Sequence, residues 1–214
     1  MLAKAYKFSW LVTLTGFVFL FMHYPFATVI MIAGGCGLLI HSAIYFFRNS
    51  STAPVKSLFY IVIACITLYV EARFLFWGWA KVIFYLSCLE MILWLVAVVK
   101  SRSTVSGLYL VVIMVFILGV WISFTPSYKI YYFVHLNTVL NKQTREVNYR
   151  SWDRYSWYLY LRNRFDEAFE ANRKAQDAAS ESLRISPDRD AGNYMEFLKQ
   201  HEFQIVHRQW EAFP

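Results

Sequence analysis

The sequence predicts an all-α membrane protein: about five transmembrane helices followed by a small helical domain in water. Three observations predict it. Hydrophobic residues fill 58% of the 214 positions and charged ones only 16%, against roughly 25% charged in soluble domains. Of the acidic residues, only Glu71 and Glu90 precede Pro126, so the chain has two solvents. Finally, uncharged stretches recur at the length that a bilayer core of about 20 helical residues demands.

The first such stretch, Phe8 to Phe47, holds no Lys, Arg, Asp or Glu. As one helix it would reach about 60 Å, twice a hydrocarbon core. It must turn, and Pro25 beside His23 and Tyr24 is the place, because proline breaks helices and amphipathic rings favour the interface. The N-terminus has the outline of a signal peptide, with Lys4 and Lys7 before an apolar run, but His23-Tyr24-Pro25-Phe26 is no small-x-small cleavage site. An uncleaved first span is therefore expected at residues 8–22 and a second at 26–47. Arg48 to Lys56 reads as a polar loop. Spans at 57–70 and 78–99 follow, separated by an interfacial turn that holds Glu71, Arg73 and the paired Trp77 and Trp79. A short loop to Thr104 and a fifth span at 105–124 complete a membrane domain over residues 1–125. If the first span lay flat in the interface, the count would be four.

Orientation follows from the cations. Lys4, Lys7, Arg48, Lys56, Lys100 and Arg102 fall on one side with no acid; the other side has only Arg73, Lys81 and Glu71 before the tail. The positive-inside rule places the N-terminus in the cytoplasm and the C-terminal domain outside the cell (inner) membrane, in the periplasm of a Gram-negative cell. The formal charge of +7 is thus a topology signal, not a nucleic-acid one. Cys36, Cys65 and Cys88 all lie in apolar runs, which excludes a disulfide-stapled domain, and no Cys/His cluster supports zinc or haem. No cofactor, metal or catalytic set is expected.

A connector over 126–150 leads to a soluble domain at 151–214. Tyr128, Tyr131, Tyr132 and Phe133 continue the aromatic belt. Ser151 is placed to cap a helix holding Trp152, Tyr155 and Leu159, which Asn163 ends. A second helix, Phe165 to about Ile185, sets an alanine face against a charged one; Ser186-Pro187-Asp188 stops it. A third, about Asp190 to Trp210, carries Tyr194, Phe197, Leu198, Ile205 and Val206.

Trp152, Ser156, Ala168 and Ala175 have the relative spacing of the large, small and alanine positions in a helix-turn-helix repeat, and Arg164 to Ala171 is similar to the start of its second helix. This stretch of about 35 residues resembles a tetratricopeptide repeat. It departs from the pattern at Leu159, Asn172 and Pro187, and one copy cannot bury its own face. The resemblance implies a protein-docking surface, with Trp152, Tyr155, Ala168 and Ala175 as candidates, and no chemistry.

Within the spans, Glu90 and His41 are the intramembrane polar candidates. Glu90 reads either as a proton or ion relay or as a structural hydrogen bond, with His41 as a partner. Gly34, Gly35 and Gly37 lack the preceding strand of a phosphate loop and read as a helix-packing face. Glu71 and Arg73, two apart, would point to different sides of a helix and suit a turn better. Asp153 and the other tail charges alternate in sign, as on a solvated face; His201 and His207 do not share a face well enough for metal. The function expected is a non-enzymatic subunit or assembly factor that joins other membrane subunits and docks a protein; the alternative is a small transporter or proton-coupled subunit using Glu90.

Overall fold

The computed structural model describes residues 2–22, 24, 26–101, 107–136, 148–185 and 189–211. Among these, every regular element is helical, and the chain divides into two compact units, Met1–Pro126 and Ser127–Pro214. The expected turn at His23 and Pro25, the loop residues around Arg102 and Thr104, residues 137–147 of the connector and the Ser186-Pro187-Asp188 stop lie outside the described residues.

The first unit contains α1 (Leu2–Phe21), α2 (Ala27–Asn49), α3 (Pro54–Phe74), α4 (Ala80–Lys100) and α5 (Gly107–Phe124). Three of these, α2, α3 and α4, are long and apolar enough to cross a membrane on their own, with mean hydropathies of 1.9, 1.7 and 2.4. The first and fifth expected spans are helical, but α1 is diluted by Lys4 and Lys7, and α5 qualifies over Tyr109–Phe124 only together with the stretch that follows it. Counting α5 with the short helical stretch that follows it would give a fourth.

The central helix is α3, buried over 61% of its most apolar stretch against 28% for α2 and 22% for α4. It packs on α2, α4 and α5. Val62, Ile63 and Ile66 of α3 meet Met91 and Trp94 of α4 and Val112 of α5 to form the core. The outer faces of α4 and α5 leave Leu86, Leu89, Ile92, Val96, Met114 and Ile117 exposed. A helix apolar all round and covered on one side only is matched to lipid.

Proline at the first position of α3 starts that helix without losing a needed hydrogen bond. It runs past Val70 to Phe74, which corrects the expected break at Glu71. The turn comes later. Phe76 takes a left-handed φ of 58°, and the Trp77 N–H donates to the Ala72 carbonyl at 2.9 Å, the six-to-one bond that ends many helices. Trp77 and Trp79 stack there at 5.0 Å. Because Glu71 and Arg73 are two apart on a helix, they do point to different sides: Glu71 toward α2, and Arg73 toward the end of α5, where it donates to the Thr125 carbonyl at 2.7 Å.

The second unit begins with α6 (Ser127–Tyr131), widens into one π-helical turn (Tyr132–Leu136), and continues with α7 (Tyr149–Tyr160), α8 (Phe165–Ile185) and α9 (Arg189–Val206). Asn148, not Ser151, caps α7: its side-chain oxygen accepts the Ser151 N–H at 3.2 Å. Asn163 takes φ 58° and ends the helix, with the Arg164 N–H bonded to the Leu159 carbonyl. Asparagine tolerates this conformation better than most residues. The alanine face of α8, Ala168, Ala171, Ala175, Ala178 and Ala179, is buried with Trp152 and Leu159 of α7 and Leu198 and Ile205 of α9. Small side chains let the helices approach closely. The expected aromatic belt is partly used here, since Tyr128 and Tyr132 pack against this same core.

Candidate functional site

Several buried polar groups of the first unit lie along α2. Ser9, Thr13 and Gly16 of α1 meet Gly37, Gly34 and Met31 of α2 in reverse order, so the two helices are antiparallel. They touch backbone to backbone. A Cβ on Gly34 would lie 2.5 Å from the Thr13 nitrogen, and one on Gly16 would lie 2.7 Å from the Met31 nitrogen. Gly37 faces Ser9, whereas Gly35 turns to the other side and faces the Glu71 carboxyl of α3. The glycines thus serve two neighbours, not one face.

Glu71 is 0% exposed, and neither carboxyl oxygen has a hydrogen-bond partner. Thr13, also fully buried, has an unpartnered hydroxyl against Gly34. An unpaired acid inside a membrane protein costs stability, which makes Glu71 the strongest functional candidate of this unit. The turn expected at Glu71 hid it. One sequence signal could have found it: a third span ending at Val70 is too short for a bilayer, and extending it by one turn brings Glu71 inside.

Glu90, near the middle of α4, is partly buried and meets the Cys65 thiol of α3. His41 is not its partner. Its Nδ1–H donates to the Gly37 carbonyl at 2.6 Å, with the Ser9 hydroxyl at 3.4 Å. The imidazole is therefore engaged between α1 and α2, one helix removed from α4.

In the second unit the expectation of a solvated Asp153 is overturned: it is 0% exposed. Its carboxylate accepts from the Tyr194 hydroxyl at 2.8 Å and from His201 Nδ1 at 2.9 Å, tying α7 to α9. Burial, followed by the Asp153 charge and its hydrogen bond, pushes the Tyr194 phenol well above the usual tyrosine range. His201 also stacks on Trp210 at 4.6 Å. An Asp–His pair resembles part of a catalytic set, but the nearby Ser156 hydroxyl donates to the Asp153 backbone carbonyl instead of to the imidazole. Its role is to hold two helices together. Among the described residues no three His, Cys, Asp or Glu gather to hold a metal ion.

Trp152, Ala168 and Ala175 are all interior to this unit. They shape the hairpin and cannot themselves touch a partner. Tyr155 is half-buried, its phenol pushed up by burial and then by the Glu167 charge. Exposed apolar side chains of this unit lie elsewhere: Phe203 and Val206, 57% and 60% exposed, and Phe197 on α9, besides Phe133, Leu161, Leu183 and Ile185. Phe203 and Val206, three apart, share one helical face.

The chain matches no protein-family model, no curated protein and no solved structure.

Proposed function

We propose that the chain is a non-enzymatic subunit or assembly factor of a membrane protein complex. Its apolar helices anchor it among other membrane subunits, and its helical tail docks a protein outside the cell (inner) membrane, with the N-terminus in the cytoplasm. The observation that carries this reading is the exposure of Phe203 and Val206 on one face of α9. Apolar groups clustered on such a surface mark interaction sites. The alanine packing of α8 on Trp152 supports the tetratricopeptide-like reading of the hairpin, and the cation distribution supports the orientation.

Affinity purification of the full chain in mild detergent, followed by mass spectrometry, tests it. A defined partner should co-purify in near-equal amount. Phe203→Glu with Val206→Glu should weaken that partner's retention by about 30-fold or more, the effect of losing an interface hot spot, while the protein still folds. Purification of the chain alone under these conditions would overturn the reading.

Glu71 favours a second reading, a proton-coupled subunit, in which the buried acid and not Glu90 carries the proton. Glu71→Gln preserves shape and removes the ionisable group. If it assembles normally and loses function while Glu90→Gln does not, the relay reading stands; normal function in Glu71→Gln removes it.

A further inference from the structure

The first unit contains a cavity of about 670 Å³ walled by α1, α3 and α5, and its chemistry is graded from one end to the other. Lys7 and Lys56 stand at one end, both exposed. One turn further along the same helices come Trp10 and Phe59, then Ile63 on α3, with Val111 and Val115 supplied by α5. Residues three and four apart share a helical face, so Lys56, Phe59 and Ile63 form one wall running from a charged rim to an apolar depth. Tyr6 and Tyr60, with ring centroids 4.9 Å apart, sit near the rim. No acid lines the cavity, and neither lysine is paired with one among the described residues. Lys56 also lies in the first turn of α3, which has no acidic residue and no side-chain cap; the partial positive charge of that helix end adds to the field of the two lysines.

We propose that this cavity binds one phospholipid with a net-negative headgroup, the phosphate between Lys7 and Lys56 and an acyl chain along Trp10, Phe59, Ile63 and Val115. The volume lies within the range of about 300–1,000 Å³ typical of small-molecule sites. Basic pockets between membrane helices suit anionic headgroups, and the aromatic rim suits the headgroup boundary. The site is separate from the Gly35–Glu71 contact, and it does not depend on the docking proposal.

Native mass spectrometry of the detergent-solubilised full chain, titrated with dioctanoyl phosphatidylglycerol, dioctanoyl phosphatidylcholine or inorganic phosphate, tests it. One phosphatidylglycerol should bind at least tenfold more tightly than phosphatidylcholine, and phosphate alone should not be retained. Lys7→Gln with Lys56→Gln should weaken phosphatidylglycerol about tenfold or more, from roughly two surface cation contributions, whereas Lys81→Gln with Lys100→Gln, which removes the same charge elsewhere, should not. Val111→Trp, at a partly exposed wall position, should weaken both lipids. Equal binding of the two lipids, unchanged binding in Lys7→Gln/Lys56→Gln, or full competition by inorganic phosphate would each overturn the assignment.

Discussion

Replacing Gly34 with valine should push α1 away from α2 and cost more than about 3 kcal/mol. Overpacking a flexible site typically costs 1–3 kcal/mol, but the obstacle here is the Thr13 backbone, 2.5 Å from the first added carbon at its nitrogen and 2.8 Å at its Cα. Backbone cannot rotate away as a side chain can. Close approach of small residues supplies much of the packing between helices in lipid, so the loss is not recovered elsewhere. The folded yield in detergent should fall several-fold and the thermal transition should drop. Gly78→Val is the control, because a Cβ there meets nothing within 4 Å. Equal stability of the Gly34 and Gly78 variants would contradict the proposed α1–α2 contact.

Asp153→Ala should unfold or loosen the tail by about 3–5 kcal/mol. The substitution strands two donors, the Tyr194 hydroxyl and His201 Nδ1–H, and each buried group left unpaired costs about 1–3 kcal/mol. Cavity formation adds to this. Against a domain stability of about 5–15 kcal/mol, the loss is large. Asp153→Asn, which keeps an acceptor, should cost less. Spectrophotometric titration gives a second readout: with the Asp153 charge gone, the Tyr194 phenol should ionise at lower pH. The sign for stability follows. The phenol titrates higher in the folded tail than in the unfolded chain, where tyrosine titrates near 10, so its contribution is whole below about pH 10 and is lost as pH rises through the folded value. Near-UV circular dichroism of the wild type should therefore decay at alkaline pH, and the decay should be shallower in Tyr194→Phe.

The helical class and the boundary at Pro126 were legible because charge and apolarity segregate along the chain, a signal that needs no knowledge of contacts. The tail helices were legible from alanine and aromatic spacing; α8 runs from Phe165 to Ile185, as the periodicity indicates. Asp153 and Glu71 were not. Both are charged residues in places where local rules favour water: one within a stretch of mixed-sign charge, the other beside an arginine and two tryptophans. Burial of a charge is decided by distant partners, His201 and Tyr194 in one case and a bare glycine of α2 in the other, and no period of 3.6 reports it. Three of the four docking candidates are buried for a related reason. Trp152, Ala168 and Ala175 carry the repeat-like spacing because they pack the hairpin, so the residues that make the resemblance visible are the ones the fold conceals. The exposed apolar pair on α9 was hidden in turn, because Phe203 and Val206 alternate with core positions such as Ile205.

The most direct test of the docking account is a photo-crosslinking residue placed at Phe203 of the full chain in intact membranes. Irradiation should join the chain to one discrete partner protein, while the same residue at Lys174, on the charged face of α8, should give little or none. Absence of any adduct from Phe203, or the same pattern from both positions, would contradict it.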